Sequence, residues 1–137
     1  MPGKAFTVVA ERAKLARAAR FCLVGGSGVV INTAVLYLLS RGLRLPLPLS
    51  SAIAVELAII SNYVLNDRFT FAVRTPSFRR LAKFNVTSLG GLGVNVVIVW
   101  LLTRHGVYFL AANFVGIAVA VVANYTFSVA WVWRREK

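Results

Sequence analysis

Between Arg20 and Arg41 the chain runs for twenty residues without a charged side chain, and between Lys83 and Arg104 it does so again. A helix of that length rises about 30 Å, the thickness of a bilayer's hydrocarbon core. Each run is followed by another apolar stretch, at roughly 49–69 and 110–131. The pattern predicts an all-α integral membrane protein with four transmembrane helices, at about 21–40, 49–69, 84–103 and 110–131.

Composition agrees. The 137 residues are 58% hydrophobic and carry a net charge of +12. A basic soluble domain would point to nucleic acid. Here the cations cluster between apolar runs, which is the membrane pattern and argues against a nucleic-acid partner. Cys22 is the single cysteine, so no intrachain disulfide can form, and it reads as a packing or lipid-facing residue. His105 follows Arg104 between the last two runs and reads as a loop residue. With no nucleophile–base set, phosphate-binding glycine loop or metal-ligand cluster, the expectation is a protein that is not an enzyme, with no cofactor and no metal.

Residues 1–19 form a basic cytoplasmic segment, and residues 7–20 are expected as a short helix on the membrane surface. The apolar run after it is too long for a signal-peptide core. Pro46 and Pro48 mark a tight turn. Arg74 to Lys83, containing Pro76, Arg79 and Arg80, is expected as a basic loop. Thirteen Lys/Arg lie in the N-terminal segment, residues 68–83 and the C-terminus, against three in the other two loops. That bias predicts both termini in the cytoplasm of a multi-pass protein of the inner (plasma) membrane.

The halves resemble each other. Shifting helix 1 by 63 superposes Phe21 on Phe84, Gly28 on Gly91 and Asn32 on Asn95. Gly25 falls on Ser88. Shifting helix 2 by 62 superposes Ala54 on Gly116, Asn62-Tyr63 on Asn124-Tyr125, and Phe69 and Phe71 on Trp131 and Trp133. Each copy is a two-helix hairpin, so the copies are expected to be parallel. Gly25, Gly28, Asn32, Gly91, Asn95 and Gly116 are the expected packing positions: small residues let backbones approach, and a buried Asn hydrogen-bonds across helices. Asn62 and Asn124 lie nearer the inner interface, where packing and head-group binding are both open.

Other polar residues break the repeat. Glu56 sits well inside its span, where a carboxylate costs roughly 2.5–3.5 kcal/mol, so an intramembrane acid is a functional candidate. It reads either as a ligand for sugar hydroxyls, as a proton-coupling group, or as a protonated acid in a helix contact. Glu56, Ile60, Tyr63 and Asp67 share one helix face. Asn66, Asp67 and Arg68 meet the interface at the end of that helix. Arg20, Arg68, Arg79, Arg80, Lys83 and Arg134 could bind phosphate through planar or point-charge donors, or simply meet anionic lipid.

The plan F-x-x-x-G-x-x-x-x-x-x-N in helix 1 and N-Y-x-x-N-x-R-F-x-F (Asn62 to Phe71, with Asn66 and Arg68) at the end of helix 2, repeated in part in the second half, resembles the GtrA-like family over about residues 18–135. These are small four-helix membrane proteins of polysaccharide pathways, and the module also occurs fused behind polyprenyl-phosphate glycosyltransferases. The second copy departs from the pattern, with Ser128 and Ala130 where Asn66 and Arg68 stand. The resemblance implies a GtrA-like domain over 20–135 whose partners are membrane lipids, a polyprenyl-phosphate-linked sugar and a glycosyltransferase. It implies a flippase-like carrier of that lipid-linked sugar, with Glu56, Asn62, Tyr63, Asn66, Asp67, Arg68 and Asn124 toward the head group. The alternatives are a non-transporting scaffold for a glycosyltransferase and a small multidrug-type exporter. The basic inner rim speaks against the exporter, because it would repel cations.

A chain of 137 residues has little room to enclose a sugar path alone. It is therefore expected to form a homodimer or larger assembly. Mass measurement in detergent should give at least twice the chain mass; a strict monomer would contradict this.

Overall fold

The computed structural model describes residues 2–134, with side chains from residue 8 onward. The side chain of Lys4, and Arg135 and Lys137, counted above among the cytoplasmic cations, lie outside the described residues. Helix α1 spans Pro2–Tyr37 and ends in a π-helical turn, Leu38–Gly42. Helix α2 spans Leu47–Leu65 and ends in a second, Asn66–Thr70. Helix α3 spans Phe78–Arg104, and α4 spans Phe109–Phe127 with a third π-helical turn, Ser128–Val132. No strand occurs among the described residues. Four stretches are long and apolar enough to cross a membrane: Val8–Gly42, Leu47–Thr70, Phe78–Arg104 and Phe109–Val132. The protein is a multi-pass, all-α membrane protein built of two compact units, Met1–Pro76 and Ser77–Lys137.

The first unit is the α1–α2 hairpin. No proline or glycine falls between Gly3 and Gly25, so nothing interrupts α1, and the basic segment runs without a break into the span. Pro46 is the N-cap of α2 and Pro48 lies in its first turn, where a missing N–H costs no helical bond. Ser50 is fully buried at that corner and donates its hydroxyl to Leu45 O at 3.3 Å.

Both helices of this hairpin stop by the same device. Leu43 N–H reaches back to Leu38 O at 3.0 Å, and Phe71 N–H to Asn66 O at 2.9 Å. Wider bonds follow from Leu45 to Leu39 and from Val73 to Asp67. These turns use carbonyls that a terminated α-helix would leave without donors. They need a left-handed residue, and Arg44 (φ 56°) and Ala72 (φ 54°) supply it although neither is glycine. Each pays roughly 1–2 kcal/mol for its Cβ.

The second unit is the α3–α4 hairpin. Its first helix begins six residues before the expected span, at Phe78, because Ser77 caps it and accepts the Arg80 N–H at 3.4 Å. Arg79, Arg80 and Lys83 therefore belong to a helix, not to a loop. At the other end His105 sits with Nδ1 2.8 Å from Leu101 O. Gly106 (φ 85°) then turns the chain, and Val107 N–H closes on Leu102 O at 3.0 Å.

Within each hairpin, glycines meet asparagines. A Cβ on Gly28 would run into the Asn62 amide, and one on Gly116 into the Asn95 amide. Gly91 faces Ala120 O at 3.5 Å and the Asn124 Cβ at 3.6 Å, an ordinary contact. Ala54, which occupies the place of Gly116 in the first unit, is fully buried. Gly25 differs from the expectation: a Cβ there would meet nothing within 4 Å, so it is not a packing glycine of its hairpin. Gly28→Ala should accordingly destabilise the protein by about 1–3 kcal/mol through overpacking. Gly25→Ala should leave it unchanged or raise stability by up to about 1 kcal/mol through helix propensity. Thermal unfolding in detergent distinguishes them, and equal losses would contradict the assignment.

Candidate functional site

Polar chemistry in the first unit concentrates where α2 ends. The π-helical turn widens the helix at Asn66–Thr70 and puts three polar side chains inside: Asn66 is 1% exposed, Asp67 4% and Thr70 6%. Thr70 donates its hydroxyl to Asn66 Oδ1 at 2.7 Å. Tyr63, one turn earlier, is buried as well. Arg68 points outward and is exposed. From α1, Arg20 Nη1 donates to Phe69 O at 3.3 Å, and Phe21 meets Phe71 edge-to-face at 6.5 Å. Arg20, expected as a phosphate ligand, thus holds a carbonyl at the C-terminal end of its partner helix, a favourable place for a cation.

The second unit repeats these contacts with apolar substitutions. Lys83 Nζ donates to Trp131 O at 3.5 Å and stands 5.5 Å from the centre of the Trp131 ring. Phe84 meets Trp133 edge-to-face at 5.3 Å. Ser128 is fully buried and donates to Asn124 Oδ1 at 3.4 Å. Where the first unit has Asp67 and Arg68, this turn has Val129 and Ala130. Arg79, Arg80 and Arg134 lie at the ends of α3 and α4, with Arg79 and Arg134 exposed. Arg79 and Arg80 occupy the first turn of α3, where the helix dipole is also positive, so the potential there favours anions.

Three asparagines depart from the expected interhelical hydrogen bonding. The buried Oδ1 atoms of Asn32, Asn62 and Asn95 receive no donor among the described residues. An acceptor left this way costs about 1–3 kcal/mol. The amides of Asn62 and Asn95 are instead packed against glycine, as above.

Glu56 lies on the same geometric face as Tyr63 and Asp67, but the hairpin covers only the latter two. Tyr63 and Asp67 are buried against the rest of the unit, whereas Glu56 is exposed on its surface. It stands eleven residues before Asp67, roughly 16 Å along the axis. The hairpin therefore does not enclose the continuous polar string that the spacing suggested. The sequence reading passed over Thr70, whose hydroxyl completes the buried group. Its signal was available: a small hydroxyl residue four positions after an asparagine, as again at Asn124 and Ser128.

Residues 20–133 match the family described as GtrA/DPMS, transmembrane domain. The chain is also 36% identical over 119 residues to a dolichol-phosphate mannosyltransferase of Pyrococcus furiosus. That alignment covers 85% of this chain and 34% of the archaeal protein, so the chain spans about a third of its relative's length.

The buried pair at the end of α2 can be tested against the Asn124–Ser128 pair, which lies one turn earlier in the second unit. Thr70→Val removes a short bond and strands Asn66, which should lower stability by about 1–3 kcal/mol. Ser128→Ala removes a longer bond and should cost less. Denaturant titration in mixed micelles measures both, and a larger loss at Ser128 would contradict the geometry.

Proposed function

The chain belongs to the GtrA/DPMS transmembrane-domain family, and on that premise we propose that it binds a polyprenyl-phosphate-linked sugar and carries it across the plasma membrane in a flippase-like manner. The family match supports a membrane protein of glycan-precursor biosynthesis. The observation that carries the finer reading is the end of α2. There a widened turn buries Asn66 and Asp67 and leaves Arg68 exposed beside them. Buried acceptors next to an exposed guanidinium suit a head group that joins sugar hydroxyls to a phosphate. Tyr63 and Asn62 continue the row of polar residues deeper into the span.

The protein is read as non-catalytic, as a homo-oligomer, and as having both termini in the cytoplasm with its two hairpins parallel. The matching contacts at Arg20–Phe69 and Lys83–Trp131 put a cation beside the end of the partner helix within each hairpin. Glu56, exposed on the first hairpin, is assigned to hydroxyl recognition or proton coupling along the path. A second reading is a scaffold that recruits a glycosyltransferase. It is favoured by the archaeal relative, whose name denotes a mannosyltransferase and of which this chain matches only a third.

Sided translocation of a fluorescent polyprenyl-phosphate sugar in proteoliposomes separates the two. Wild type should equilibrate the lipid between leaflets. Arg68→Ala should slow this by about 10–100-fold, the loss of a charge-assisted hydrogen bond. Glu56→Gln should slow movement with binding retained. A wild type that moves nothing yet binds a glycosyltransferase would establish the scaffold instead.

A further inference from the structure

Resting on the lipid-linked substrate just proposed, we infer that the α3–α4 hairpin is the seat of the isoprenoid chain, a groove along Gly90, Gly91, Ala123, Phe127 and Ala130 that ends at Trp131 with Lys83 as the phosphate's cation. The groove has a volume of about 540 Å³ and an almost wholly apolar lining. That volume lies within the range of small-molecule clefts, roughly 300–1,000 Å³. Trp131 lines one end, and Lys83 Nζ stands over its ring. An apolar slot closed by one cation is complementary to a single hydrocarbon chain closed by one phosphate. A diacyl phospholipid would bring two chains to one slot.

The glycine at the centre of the groove is not there for the hairpin. A Cβ on Gly90 would meet nothing within 4 Å. Its backbone is helical, so no left-handed conformation requires glycine either. Glycine is the least favourable residue after proline in a helix interior. The missing side chain at Gly90 leaves the floor of the groove open to a chain that approaches the backbone.

Comparison with the first unit sharpens the assignment. At the offsets of 63 and 62, Gly90, Ala123 and Ala130 correspond to Ser27, Ser61 and Arg68. The flanking Gly91 and Asn124 correspond to Gly28 and Asn62, so the scaffold of the face is kept. At these three positions the first hairpin carries polar side chains and the second does not.

The test uses the full chain in nanodiscs and measures displacement of a photoreactive polyprenyl phosphate by undecaprenyl phosphate, farnesyl phosphate or dioleoyl phosphatidylglycerol. Wild type should prefer undecaprenyl over farnesyl phosphate by about tenfold or more, from the extra apolar surface buried. Gly90→Leu and Ala123→Leu fill the groove and should each abolish that preference. Gly93→Leu, at another glycine whose Cβ would meet nothing within 4 Å, is off the groove and should keep it. Lys83→Gln should weaken both prenyl phosphates equally. Each variant is read against its thermal midpoint, and two independent filling variants guard against one failing to fold. Retained chain-length preference in folded Gly90→Leu and Ala123→Leu overturns the groove assignment alone. Phosphatidylglycerol competing as well as undecaprenyl phosphate in wild type overturns the substrate reading with it. A filling variant that shifts oligomeric mass while the preference stays intact assigns the face to a second copy and also overturns the inference.

Discussion

The hairpins rest on a contact between an amide and an absent side chain. Asn62 occupies the space over Gly28, and Asn95 the space over Gly116. In hydrocarbon, apolar side chains gain little by facing each other rather than lipid, so helices associate through close packing. Glycine makes that approach possible and asparagine fills it. The arrangement has a cost, because the buried Oδ1 atoms of these asparagines receive no donor among the described residues. An apolar residue of similar size would fill the same space without stranding an acceptor. The polar choice follows naturally if these positions also meet hydroxyl groups.

Much of the fold could be read from sequence because the bilayer allows few alternatives. Four apolar runs of span length dictated four helices. The aromatic positions at their ends marked Phe21–Phe71 and Phe84–Trp133 as equivalent, and both pairs stack edge-to-face. Other features were hidden for physical reasons. The start of α3 at Phe78 depends on one serine cap, and the charges of Arg79 and Arg80 masked it. The π-helical turns leave no period in the sequence, because each lasts five residues. Gly25 looked like a packing residue because a small residue on a helix face gives no sign of which neighbour, if any, approaches it.

The candidate site was legible by type and less so by placement. Asn66, Asp67 and Arg68 were visible as the residues that break the repeat. The structure separates them, with two inside and one outside. The rim cations divide in the same way. Arg20 and Lys83 hold carbonyls of the opposite helix, so their positions follow from helix termination as well as from any anion. Arg68 has no basic counterpart in the second half, where Ala130 takes its place, so repeat architecture does not explain it.

The π-helical turn at Asn66–Thr70 also bears on how the chain tolerates changes in length. It lies at the edge of a loop, where one-residue insertions and deletions are usually absorbed. Here the turn holds one more residue than an α-helical turn would, and the register of everything after it depends on that residue. Deleting any one of the five would restore ordinary helical spacing and swing Phe71 about 100° around the axis, away from Phe21. The carbonyl that Arg20 holds would turn with it. A segment that resembles a forgiving boundary thus works as a fixed spacer, and variation in length in this protein should collect beyond Val73.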